Sequence, residues 1–270
     1  MSESPDLVTW AVWPASMACL AVTVAAGVGI ATGVPALMTL GVGVPMLMMA
    51  NGWVRLLQLP SPRGTTGILV AAAVILVAGG WVTHRTHVSM LVAAIAVVLV
   101  LEFVHQLGRR DRRPRLVESV SSAVFGITVV ASGSCFLILE GPVGHAASLG
   151  VVAATLVGVA ADGLPGVLVS RGRAWVPAVV ASLLGAVVGA LVWLWVGPQG
   201  VGSDVWVAGL AGGLAGLGSF TLRLALCGLP TIAGFRARWA AGAASLLVTG
   251  VVAYGQAWVV LGSLVPLLSG

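Results

Sequence analysis

Lysine is absent from this chain: all 13 basic residues are arginine, which removes Schiff-base chemistry and the phosphate-binding lysine of a P-loop. Charge of either sign is scarce, 8% of 270 residues against 59% hydrophobic ones. That leaves too little polar surface for a soluble domain, so bilayer is the expected solvent. Between Leu7 and Asn51 there is no ionisable side chain at all. A single helix through that stretch would run roughly 68 Å, more than twice a ~30 Å hydrocarbon core, so the chain must cross twice there. Period-2 alternation is also missing from the apolar runs, which excludes a β-barrel and leaves helices as the spanning element. The three cysteines, Cys19, Cys135 and Cys227, form no CxxC pair, so neither a disulfide nor a metal centre is expected from them. The opening MSESPDLVTW carries Glu3 and Asp6 rather than a basic stretch, so the first apolar segment reads as a retained span and not as a cleaved signal peptide.

What is present organises itself into about nine helical spans. Breaks at Gly/Pro clusters and charges place them near Val8–Ile30, Val34–Val54, Gly67–Val82, Val88–Leu107, Leu116–Leu139, Ala146–Val169, Val176–Val196, Val205–Leu222 and Trp239–Val260. Only ATGVP separates the first two, and the tail after Ala253 is awkwardly long for one span, so eight to ten fit. The expected fold is one all-α integral membrane domain over residues 1–270.

Arginine retention on the cytoplasmic side orients this bundle. With the N-terminus inside, Arg55, Arg63, the run Arg109, Arg110, Arg112, Arg113 and Arg115, then Arg171, Arg173, Arg223, Arg236 and Arg238 are cytoplasmic, and Arg85 alone is outside. Twelve against one decides the orientation and points to the inner membrane. Trp10, Trp13, Trp53, Trp81, Trp175, Trp193, Trp195, Trp206 and Trp239 all fall near span ends, where an indole prefers the interface. The run GLAGGLAGLG in span eight, Gly209 to Gly218, reads as a close-packing helix face. The net charge of +5 sits in short loops without an RNA-binding motif, so nucleic acid is not an expected partner.

Ionisable groups inside a membrane are costly and few. Glu102 and His105 share a helix face near the cytoplasmic end of span four, either as a proton relay or as a pair snorkelling toward the basic loop. His84 and His87 in THRTH read as a solvated loop. Asp162, followed by Gly163 and Pro165, lies where span six should unwind. Carboxylate plus unwound backbone suits a cation or phosphate–metal site, or else a helix-end Asp beside Arg171 and Arg173. Arg223 reads as an anion ligand for lipid phosphate or as a snorkelling end residue. The loop GRRDRRPR is an orientation signal first and a surface attractive to anionic headgroups second.

The order of features from LEFVHQL, through SSAVFGITVVASGSCFLILEGPVGHAASLGVVAATLVGVAADGLPGVLVSRGRAW, to GLGSFTLRLALCGLPTIAGFRARWAAGAASLLVTGVVAY resembles the phosphatidate cytidylyltransferases. These polytopic enzymes join CTP to phosphatidic acid with a divalent metal. The resemblance covers roughly 160 residues, and its span count is consistent with this topology. It implies a ligand or phosphate site around Asp162, Arg171, Arg173 and Arg223. The family's Lys-Arg pair, acidic residues and Pro-Gly-His-Gly-Gly loop are missing, however, and only Asp162 matches a functional position. A nucleotidyl transfer needs metal held by several oxygens and positive charge on the leaving phosphates. The resemblance therefore implies a scaffold without catalysis, binding an anionic phospholipid or a membrane partner, with homo- or hetero-oligomers open. Two alternatives remain: a transporter or permease using Glu102, His105 and Asp162, and an active CTP-dependent lipid nucleotidyltransferase, for which magnesium would be the cofactor.

Overall fold

In the computed structural model the described residues are 5–59, 61–83, 88–108, 116–163, 175–198 and 204–268. They are helical, without strands. We label the helices α1 (Pro5–Ala31), α2 (Pro35–Leu56), α3 (Pro62–Thr83), α4 (Val88–Gly108), α5 (Leu116–Ile138), α6 (Gly141–Gly158), α7 (Val176–Val196), α8 (Val205–Cys227), α9 (Phe235–Leu247) and α10 (Gly250–Leu268). Among the described residues, nine helical stretches are long and apolar enough to cross a membrane, the ninth running through α9 and α10 from Phe235 to Gly262. The chain is thus a multi-pass membrane protein.

The disputed first division is real. Gly33 takes a positive φ of 64° between α1 and α2, a conformation that favours glycine, and Pro35 opens α2 where its missing N–H costs nothing. Chain alternation then puts the starts of α1, α3, α5, α7 and α9 and the ends of α2, α4, α6 and α8 at one end of the bundle. Arg55, Arg63, Arg236 and Arg238 lie there, so we call it the arginine end. Glu140 and Asp204 lie at the other.

Backbone proximity, rather than large side chains, holds the second half together. A Cβ at Gly185 would collide with the Gly212 carbonyl, one at Gly189 with the Ala208 carbonyl, and one at Gly216 with the Ala181 carbonyl. The glycine face expected in GLAGGLAGLG is therefore spent inside the molecule, joining α8 to α7. Such contact replaces the hydrophobic drive that is missing between helices in lipid. The outward faces of α7 and α8 carry Leu183, Val187, Leu191, Leu210 and Leu214, all exposed, as lipid-facing residues should be.

The last span is broken. Between α9 and α10 the helical ladder is interrupted at Val248 and Thr249, and α5 fills the gap. The Ser132 hydroxyl donates to the Val248 carbonyl at 3.0 Å and accepts from the Val251 N–H at 2.9 Å. Irregular backbone at membrane depth requires such substitutes. Gly250 permits the approach, since any side chain there would strike the Ser132 carbonyl. The awkward length after Ala253 has this cause: one span with a kink, extended to Leu268.

Tryptophan follows the interfacial expectation only in part. Trp175, Trp195 and Trp206 are exposed. Trp53 and Trp193 are buried core residues instead. Trp53 donates its indole N–H to the Ser122 carbonyl at 3.0 Å and packs against Phe125. Gly126 on the facing helix leaves the room its ring occupies.

Candidate functional site

Helix α6 tightens after Gly158 into a 3-10 turn, Val159–Gly163, as Gly163 and Pro165 suggest it should. Asp162 sits in that turn, and the turn aims its carboxylate into the bundle rather than at solvent: Asp162 is 5% exposed. Arg223, one turn from the end of α8, points the same way and is fully buried. The two meet in a bidentate pair, Arg223 Nε to Asp162 Oδ2 at 2.8 Å and Nη2 to Oδ1 at 3.1 Å.

Three further side chains complete the cluster. Ser219, four residues before Arg223 on the same face of α8, accepts from Nη1 at 2.5 Å. On α1, three residues apart, Ser16 donates to Asp162 Oδ2 at 2.5 Å and the Cys19 sulfur accepts from Arg223 Nη1 at 3.3 Å. Helix α9 backs this part of α1, because Gly242 lies against the backbone at Ala18 and Cys19. Four of the five guanidinium N–H vectors are thereby directed at acceptors on three elements. The planar fork of arginine matches a carboxylate as lysine would not. Chemically the arrangement is a closed clamp between α1, the turn after α6, and α8. Neither charge is presented to an outside ligand while the pair is intact.

Of the residues expected to form a ligand site, Asp162 and Arg223 are brought together, and Arg171 and Arg173 lie outside the described residues, as do His84 and His87 and the arginines of GRRDRRPR. Ser16, Cys19 and Ser219 were not anticipated. Ser219 had a signal, a hydroxyl one turn from an arginine set within an otherwise apolar helix. Ser16 and Cys19 had none, because their partners are far away in sequence.

A second polar cluster lies between α3, α4 and α5. Glu102 is 1% exposed and does not snorkel. Gln106 donates to its Oε1 at 2.6 Å and to the Ser119 hydroxyl at 3.0 Å. His105 is half-buried, its Nε2 3.2 Å from the Ser61 hydroxyl, its ring lying on α3 where Gly64 has no side chain. Glu102 and His105 share a helix face as expected but turn to different partners. At the opposite end of the bundle, a cavity of about 600 Å³ is lined by Thr39, Val77, Glu140 and His145 among others, remote from both clusters.

Among the described residues, no group of three or more His, Cys, Asp or Glu is placed to hold a metal ion. Set against known proteins, the chain matches no family model, no curated protein and no solved structure.

Proposed function

We propose that this is a non-catalytic multi-pass protein of the inner membrane, N-terminus in the cytoplasm, that engages anionic phospholipid at its arginine end. One observation carries the reading. Arg55, Arg63 and Arg236 are exposed there, while Arg223, the arginine salt-bridged to Asp162, is buried inside the bundle. The three exposed guanidinium groups at that end can thus meet an anionic partner from outside. The helix termini at this end also flank the two other arginine-rich segments of the sequence, residues 109–115 and 171–173. Each basic residue near an anionic leaflet contributes about 1 kcal/mol of attraction, falling away within a Debye length.

The resemblance to the phosphatidate cytidylyltransferases enters this proposal as a scaffold. Asp162 is the one position that fits their pattern, and both of its oxygens already accept hydrogen bonds from Arg223. A carboxylate whose charge is already balanced by a bidentate guanidinium is a weakened ligand for a metal, which supports binding without transfer. Magnesium would enter only if the transferase alternative held.

Native mass spectrometry of the protein released from mixed vesicles tests the lipid reading. Phosphatidylglycerol or cardiolipin should be retained over phosphatidylcholine, and the triple change Arg55→Gln, Arg63→Gln, Arg236→Gln should reduce that preference several-fold. Equal retention of both lipid classes would sink it. Turnover of CTP with phosphatidic acid and magnesium, abolished by Asp162→Asn, would overturn the non-catalytic part.

A further inference from the structure

The polar cluster between α3, α4 and α5 contains two buried groups without partners: Oε2 of Glu102 and the hydroxyl of Thr65. Thr65 is fully buried, yet its hydroxyl does not even turn back to its own helix, the usual refuge of a buried helical threonine. The register of the two helices puts the two groups at one depth. Ser61, the residue that precedes α3, and His105 on α4 are in contact. Going deeper from that contact, Thr65 lies four residues along α3 and Glu102 three residues along α4, about 6 Å and about 4.5 Å at the rise of a helix. An orphan carboxylate oxygen and an orphan hydroxyl are therefore placed at about the same level on facing helices, and the Gln106 amide nitrogen links Glu102 to the Ser119 hydroxyl of α5.

A carboxylate in this setting requires compensation, because burying it unpaired costs several kcal/mol or more. No ion pair to a described residue neutralises it, and the Asp162–Arg223 salt bridge belongs to the other cluster. The charged groups on the packed elements do not face it. Arg63 on α3 and Glu118 on α5 are exposed, and the half-buried His105 is turned to Ser61.

We propose that Glu102, with Thr65 and Ser119, forms a binding site for a small monovalent cation, a sodium ion, reached from the arginine end past His105, with Gln106 holding Glu102 and Ser119 in place. The donor set selects the class. Hard cations take oxygen ligands, and the site offers one carboxylate and two hydroxyls, while the Gln106 NH2 group orients Glu102 and Ser119. One negative charge balances one positive charge, and among the described residues no second carboxylate is buried there to hold a divalent ion. His105 occupies the half-buried level between this site and the helix ends, and the Gly64 backbone gives its ring the space to lie there. The site is separate from the exposed arginines, so this inference stands or falls independently of lipid binding.

Thermal melting of the protein in detergent tests it, with sodium chloride, potassium chloride or choline chloride at constant ionic strength and pH. A ligand bound only by the folded state raises the midpoint in proportion to the logarithm of its concentration. For sodium, the midpoint should rise by several degrees over choline, and Glu102→Gln and Thr65→Val should both abolish the rise. Glu102→Asp, which keeps the charge but withdraws it by one methylene, should shift the response to higher sodium concentration, and it serves should the glutamine variant fail to fold. A wild-type midpoint indifferent to sodium overturns the proposal, as does a response that survives unchanged in Glu102→Gln or, in its place, Glu102→Asp.

Discussion

Arg223 and Asp162, 61 residues apart, form a two-point ion pair buried in the bundle, and Ser16, Cys19 and Ser219 hydrogen-bond around it. Removing one member leaves an uncompensated charge. Asp162→Ala or Arg223→Ala should therefore destabilise the protein by about 3–5 kcal/mol. The double change Asp162→Leu, Arg223→Met should recover most of that loss, since an apolar pair of similar volume avoids the desolvation cost. Midpoints from thermal unfolding of the four proteins check it; a double variant as weak as the sum of the singles would mean that the pair specifies the packing as well as neutralising itself.

The span count and approximate span positions were legible because the bilayer imposes them: apolar length and Gly/Pro breaks report directly on the solvent. Asp162 and Arg223 were each legible as costly intramembrane groups, and the end of the regular α-helix before Gly163 was legible from local chemistry, although the chain tightens into a 3-10 turn there rather than unwinding. Their pairing was not. Which buried charge meets which depends on helix rotation and packing order, and a single sequence carries that only in the positions of its small residues. The same holds for Ser132, an unremarked serine until the break it repairs in another helix is known, and for Trp53, whose burial follows from Gly126 on a helix distant in sequence.

The glycine contact between α7 and α8 predicts a sharp contrast within one residue type. Gly212→Leu or Gly185→Leu forces the two backbones apart, and overpacking of this kind costs about 1–3 kcal/mol or more. Gly255, with open space around its Cα, should accept Leu with little effect. The measurement is the yield of folded, monodisperse protein in detergent together with its melting midpoint. Equal outcomes at Gly212 and Gly255 would refute the close approach.

Ser132 supplies both a donor and an acceptor to the broken span, so Ser132→Ala leaves the Val248 carbonyl and the Val251 N–H without that partner. An unsatisfied buried polar group costs about 1–3 kcal/mol. Ser132→Thr retains the hydroxyl and should lose less. Hydrogen exchange of the Val251 amide gives a local readout: it should quicken markedly in the alanine variant while amides in α7 and α8 keep their protection. Unchanged exchange at Val251 would show that the break is closed by other means.

Orientation of the bundle rests on the arginines and can be read with single cysteines, because Cys19, Cys135 and Cys227 are all buried and should react slowly with an impermeant maleimide. A cysteine at Arg236, exposed at the arginine end, should then label in inside-out membrane vesicles and stay silent in intact cells. A cysteine at Glu140, exposed at the other end, should label in intact cells. Each replacement removes one charge, and a bias of twelve arginines to one is too large for that to invert the topology. The reverse pattern at both positions would place the arginine end outside, away from the anionic cytoplasmic leaflet, and lipid engagement there would lose its electrostatic basis.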